Sequence, residues 1–196
     1  MLTRKWFAYA ALLFVAAGLL LGWSSKNSHV QGEEQPARKL PAIMLLDVVI
    51  NQPEGTRGYR KPYVAIWIAD KDNFPVRTLS LWVQSTGPGP RWIPNLRKWH
   101  QDDLLRQAVG GKNLVDGMSG ATRTSGSYKV GWDGLDDDGK PLPLGEYTLN
   151  IEAVREHGTY QLSNAKFQHG TKPFKRTVPG KVEIKSVNID YRGAGK

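Results

Sequence analysis

Val64-Ala65-Ile66-Trp67-Ile68-Ala69-Asp70-Lys71-Asp72-Asn73, continuing through residues 76–84, is the stretch whose reading decides the fold. Val64, Ile66 and Ile68 alternate with Ala65, Trp67 and Ala69, the period of two that an extended chain imposes on its side chains. Asp70 to Asn73 supplies turn chemistry and residues 76–84 resume the alternation, so the stretch reads as a β-hairpin. Working outward, the same pattern predicts strands over 43–50, 127–132, 146–155 and 182–190, separated by turns that contain Gly and Pro. Strands in series, without alternating helices, imply an all-β antiparallel sandwich. One short helix interrupts them: Asn95 is expected to cap a segment in which Leu96, Trp99, Leu104, Leu105 and Ala108 recur at rough helical spacing, ended by Gly110-Gly111.

The N-terminus is of a different kind. Residues Trp6 to Trp23 form an uninterrupted apolar run behind the basic pair Arg4-Lys5, with Trp6, Tyr9 and Trp23 where interfacial aromatics sit. At about 1.5 Å per residue the run spans close to the roughly 30 Å hydrocarbon core of a bilayer. The flanking charges place the N-terminus in the cytoplasm and everything after Trp23 outside. Residues 1–25 therefore read as a transmembrane anchor, with a cleaved signal peptide as the competing reading; no small-x-small site ends the run. Residues 26–41 are polar and read as a linker, and 42–192 as the single globular domain.

Composition narrows the function. The 196 residues include no cysteine, which excludes disulfides, thiolate metal sites, iron–sulfur clusters and c-type haem attachment, so any redox chemistry must come from another bound group. The formal charge of +9 falls to +6 without Arg4, Lys5 and Lys26, which flank the apolar run. That excess suits anionic head groups or acidic partners. No nucleic-acid-binding module is visible in a chain that reads as exported, and nucleic acid is not expected as a partner. Nor is there a Ser-His-Asp order, a nucleophile elbow, a pair of catalytic carboxylates or a phosphate-binding Gly loop, so no independent enzymatic activity is expected.

The stretch that carries chemistry is Asp116-Gly117-Met118-Ser119-Gly120-Ala121-Thr122-Arg123-Thr124-Ser125. It resembles the covalent flavinylation signal D-x-x-S-G-A-T-x-T-S of the FMN-carrying subunits of sodium-pumping and related electron-transfer complexes. In those proteins an FAD:protein FMN transferase, using Mg²⁺, joins the FMN phosphate to the threonine that follows Gly-Ala. The resemblance implies Thr122 as the covalent FMN acceptor, with Asp116, Ser119, Gly120, Ala121 and Thr124 at the other matching positions. The residue types make physical sense on their own. A hydroxyl that must enter a second enzyme's active site needs small neighbours and a backbone free of the sheet, which Gly120 and Ala121 supply. The amides of Gly120 and Ala121 and the side chain of Arg123 are placed in sequence to screen the resulting phosphodiester. A flexible Gly/Ser/Thr loop is the plainer reading of the same composition.

A second resemblance covers Tyr128 to Leu149, where Trp132-Asp133-Gly134, Asp136, Gly139, Pro143, Gly145 and Tyr147 are similar to the W-D-G-x-D-x-x-G-x-x-x-P-x-G-x-Y signature of Ig-like domains related to the C-terminal part of the flagellar hook-cap protein. It implies that Trp132 packs inward and that 133–139 makes a tight crossover. From about 42 to 192 the chain also resembles a family of predicted periplasmic proteins of unknown function that pair this signature with an S-G-A-T-R loop and an R-E-H-G turn, here Arg155-Glu156-His157-Gly158. That family is associated with flavin transferases and membrane electron-transfer proteins. The ion-pump subunits carry their motif on a different fold, so the transferase must recognise the loop locally.

Asp133, Asp136 and Asp138 invite a calcium reading, but no bidentate Glu follows at EF-hand spacing. His100, His157 and His169 lack the paired spacing of zinc or copper sites. His157 reads as a structural hydrogen-bonding residue, with flavin contact as the sharper alternative. Among the aromatics, Trp92 and Trp99 are expected nearest the loop. The reading is a periplasmic electron carrier with covalent FMN, served by a transferase and a membrane electron-transfer protein; the rival is an unmodified Ig-like accessory domain.

Overall fold

The computed structural model describes residues 42–51 and 59–194; the segments 1–25 and 26–41 lie outside the described residues. Among the described residues nine strands form two sheets: β1 (Met44–Ile50), β2 (Tyr63–Asp70), β3 (Pro75–Trp82), β4 (Ser119–Gly120), β5 (Gly126–Trp132), β6 (Gly145–Val154), β7 (Tyr160–His169), β8 (Phe174–Pro179) and β9 (Ile184–Tyr191). The four-stranded sheet has the order β5-β1-β9-β8 and the five-stranded sheet the order β4-β3-β2-β6-β7. Every pairing is antiparallel except the two-residue contact of β4 with β3. The all-β expectation holds at the level of two packed sheets with few helices.

The hairpin of β2 and β3 turns as its sequence predicts. The Asp70 carboxylate accepts the amides of Asp72 and Phe74 at 2.9 Å each, and Asn73 takes the left-handed conformation (φ 62°) that Asn tolerates. Strand β2 is buried on both faces. Val64, Ile66 and Ile68 join Met44, Leu46 and Val48 of β1 and Leu149 and Ile151 of β6 in the core between the sheets. Tyr63, Ala65 and Trp67 face the other way and are covered by Ile93, Leu96 and Trp99. Those three belong to a 3-10 segment, Gly89–Asn95, and to the start of helix α1 (Arg97–Ala108), which forms a third layer.

Helix α1 departs from its predicted cap. Leu96, not Asn95, stands at the cap and contributes no side-chain bond. The carboxylate of Glu152, fully buried on β6, accepts the amides of Lys98 at 3.0 Å and Trp99 at 2.7 Å, so a strand side chain satisfies the helix's orphan donors. Burial pushes this carboxyl above its usual range, against the two amides that favour the ionised form. Beside it, burial and the Glu152 carboxylate push the Tyr160 phenol up to about 12. Leu104 and Leu105 lie 53% and 49% exposed, whereas Asp102, Asp103 and Arg106 turn inward. The indole of Trp67 donates to Asp102 at 3.0 Å, Lys98 pairs with Asp102 at 2.5 Å, and Arg106 pairs with Asp103 at 2.5 Å. A buried tryptophan N–H requires an acceptor, and this requirement sets the rotation of the helix.

The crossover from β5 to β6 turns tightly and packs Trp132 inward. Trp132 is fully buried and its indole donates to Leu135 O at 2.9 Å; the Tyr147 hydroxyl donates to Pro143 O at 2.8 Å. Asp136 accepts the amides of Asp138 and Lys140, and Asp137 accepts that of Thr78 in β3, which ties the crossover to the neighbouring sheet. These carboxylates serve the turn; among the described residues no group of three or more His, Cys, Asp or Glu is gathered as a metal site. His169, at the end of β7, is buried against Trp132, with Nδ1 2.8 Å from the Tyr191 hydroxyl.

Two outcomes are expected in urea unfolding. Asp102→Ala orphans the Trp67 indole and costs about 2 kcal/mol, whereas Leu105→Gln stays within about 0.5 kcal/mol of the parent. Burial pulls the His169 pKa below its ordinary 6.5, so the unfolded chain binds the proton more readily. The neutral-His contribution is therefore complete above pH 6.5 and is lost as the pH falls below it, by at most about 1.4 kcal/mol per pH unit. Stability should decline more steeply over that interval in the parent than in His169→Gln.

Candidate functional site

The loop of interest begins at helix α2 (Leu114–Met118). Asn113 caps it, accepting the Val115 amide at 2.9 Å and donating to the Asp116 carboxylate at 3.1 Å, so Asp116 is engaged in the helix's first turn. Ser119 and Gly120 then pair with Leu81 and Trp82 as β4, and the Val83 amide donates to Gly120 O at 2.9 Å. On the far side of the loop the Tyr128 hydroxyl donates to Thr124 O at 2.9 Å. Both ends are thus held, one to each sheet, and Ala121, Thr122 and Arg123 span the interval in no regular structure. Ala121 and Arg123 are exposed, and Thr122 between them is half-buried.

Gly120 has an informative environment. It does not have a positive φ, and a Cβ built on it would rest 3.7 Å from Trp82 Cδ1, an ordinary contact. The fold itself makes no demand for glycine at this position. Gly134 differs: its φ of +86° and a would-be Cβ 3.0 Å from Ile43 Cδ1 both require it.

Arg123 brings the loop against two aromatic rings. Its guanidinium carbon lies 4.8 Å from the centroid of Trp82 and 4.9 Å from that of Tyr128, and these rings meet edge to face at 5.4 Å. The aromatic neighbours of the loop are therefore Trp82 and Tyr128, which corrects the expectation of Trp92 or Trp99. Trp99 is 1% exposed, sealed beneath α1. Trp92 stands edge-on to His157 at 4.7 Å, in an open cleft of about 360 Å³ with Arg97, Arg155 and Tyr160. His157 sits left-handed (φ 54°) in the turn between β6 and β7, where Arg155 is locked to Glu183 by paired contacts at 2.9 and 2.6 Å.

The comparisons with known proteins agree with the export reading of the sequence. The DUF2271 family, described as predicted periplasmic protein, matches residues 46–186. The chain belongs to this family. No curated protein and no solved structure matches the chain. The family match covers seven of the nine described strands wholly and the other two in part, together with the whole loop from Asp116 to Ser125. No helix among the described residues is long and apolar enough to cross a membrane.

Gly120→Ala is expected to leave the urea midpoint within about 0.5 kcal/mol of the parent, while Gly134→Ala loses about 1 kcal/mol or more. An equal loss in both would mean that Gly120 serves the fold.

Proposed function

We propose that this family member is a periplasmic covalent FMN carrier, held at the inner membrane by residues 1–25 and passing electrons from a membrane electron-transfer protein to an extracytoplasmic acceptor. The observation that carries the reading is the placement of Thr122. It lies partly exposed, flanked by exposed residues, in a three-residue span whose two ends are fixed to opposite sheets. Such a span can enter a second protein's active site while the sandwich stays intact.

The modification balances simply. Thr122 Oγ attacks the FMN phosphorus of FAD, the phosphoanhydride bond to AMP breaks, AMP leaves with the bonding electrons, and the hydroxyl proton passes to it. The residues present fit the group: a hydroxyl within reach, a smooth Gly-Ala approach, and one guanidinium beside the site for the phosphodiester. Thr122 holds the cofactor; Ser119, Gly120 and Ala121 shape the approach; Asp116 steadies the N-terminal cap of the preceding helix; Thr124 fixes the exit through Tyr128. Bound flavin supplies the redox chemistry, and the chain supplies attachment and placement.

Co-expression of the full chain with an FAD:protein FMN transferase should yield a yellow protein whose intact mass is greater by one FMN less water. Thr122→Val should remain colourless and at parent mass, with the same urea midpoint within about 0.5 kcal/mol. An unmodified parent chain under those conditions ends the carrier reading and leaves an accessory binding domain in its place.

A further inference from the structure

The Trp82–Tyr128 pair forms a corner: the rings lie 5.4 Å apart at 61°, one presenting an edge to the other's face. The guanidinium of Arg123 occupies this corner, nearly equidistant from both centroids at 4.8 and 4.9 Å. The ring walls are fixed by the fold. Trp82 ends β3 and packs in the core between the sheets, with Gly120 beside it; Tyr128 lies on β5 in register with Val48 and is tied to Thr124. With Arg123 in place Trp82 is only 3% exposed, and Tyr128 is half-buried.

Arg123 is the residue after Thr122, so whatever is attached to the Thr122 hydroxyl alters its surroundings first. A phosphodiester adds a negative charge there. A guanidinium forms stronger, charge-assisted bonds with a phosphate than with the face of an aromatic ring, so the competition favours the phosphate. Withdrawal of Arg123 uncovers two apolar ring surfaces beside the attachment point, and a planar heteroaromatic tethered there is the group best suited to cover them again.

Resting on the carrier reading above, we propose that the corner of Trp82 and Tyr128 is the seat of the flavin's isoalloxazine ring, and that Arg123 leaves it to bind the flavin phosphate on Thr122. The seat is specific for a flat, electron-poor ring system carried on a phosphate. Trp82 and Tyr128 are then positioning residues that also set how the flavin's excited and reduced states are stabilised, because an electron-rich ring in stacking contact exchanges charge with the isoalloxazine.

Flavin emission reads this contact directly, since indole and phenol rings quench it when stacked. The experiment uses the full chain loaded by co-expression with the transferase, with emission normalised to attached flavin by absorbance and intact mass. The parent should be strongly dimmed relative to free FMN. Tyr128→Leu and Trp82→Phe should each brighten it several-fold, with circular dichroism confirming that the fold is kept. Arg123→Gln should stay dim, because the corner is then open from the start, and Trp92→Leu should match the parent.

A loaded parent as bright as free FMN, and indifferent to Tyr128→Leu and Trp82→Phe, overturns the seat. A bright parent with a dim Arg123→Gln shows that the arginine keeps the corner closed, and this too overturns it. Brightening by Trp92→Leu alone moves the ring to the other cleft and has the same consequence. Failure of flavin to attach at all is a separate result, visible in the mass, and falls on the carrier reading rather than on the choice of rings.

Discussion

Strand β2 is buried on both faces, and much of the molecule can be understood as the means of covering it. One face meets the second sheet, as in any two-layer sandwich, but the opposite face carries Tyr63, Ala65 and Trp67 and needs a cover of its own. The chain between β3 and β5 provides that cover with the 3-10 segment and α1. Having crossed the outer face, it must return to the other sheet, and it does so through α2, β4 and the span 121–125. The loop that holds Thr122 is thus the return limb of the cover. Its place beside Trp82 follows from where the covering segment rejoins the sheet edge.

Charged side chains fasten this cover. Glu152 takes the first amides of α1, Asp102 takes the Trp67 indole, and Asp103 pairs with Arg106. Each ion loses most of its hydration, so such pairs add little net stability compared with apolar packing of the same volume. Their effect is on geometry: Glu152 and Asp102 together fix the end of α1 and its rotation against the sheet. Asp137, whose carboxyl burial pushes upward in pKa, extends the same logic to the β5–β6 crossover by accepting the Thr78 amide. The outer surface of α1 is left with Leu104, Leu105 and Val109 exposed, an apolar face that the described residues do not cover.

This arrangement explains which parts were legible in the sequence. Strands β1, β2, β3, β5, β6 and β9 are legible because apolar residues, aliphatic or aromatic, recur along them at strand spacing. Strands β7 and β8 are not: the inward positions of β7 are Gln161, Ala165, Phe167 and His169, with one large apolar residue among them, and β8 is an edge strand of exposed Lys175, Arg176 and Thr177. The inward face of α1 is not legible from apolar spacing alone, because Asp102 turns in to accept the Trp67 indole while Leu104 and Leu105 stay exposed. Glu152 could not be recognised as a cap, since it lies on β6, far along the chain from the amides it satisfies. The motif from Asp116 to Ser125 was readable because it is contiguous. Trp82 is not readable as its neighbour, for it lies on β3 and is brought to the loop by the parallel contact of β4 and by Arg123.

On the carrier reading proposed above, the loop would have to satisfy two opposed requirements, and its parts are suited to divide them. Attachment needs an acceptor that another protein can grasp, which favours a short, exposed, small-residue span. Electron transfer needs the attached group to return to one defined position, which favours rigid walls. Ala121 and Thr122 are suited to the first, with Gly120 leading into them; Trp82 and Tyr128, each fixed in a different sheet, are suited to the second. Because the walls come from separate sheets, the corner exists only when the sandwich is closed, and a flavin seated between them would add a bond across the two layers. Binding energy spent in that way favours the folded state over the unfolded one. On that proposal loading and folding would be coupled in sign: the closed sandwich would make the seat, and an occupied seat would hold the sandwich closed.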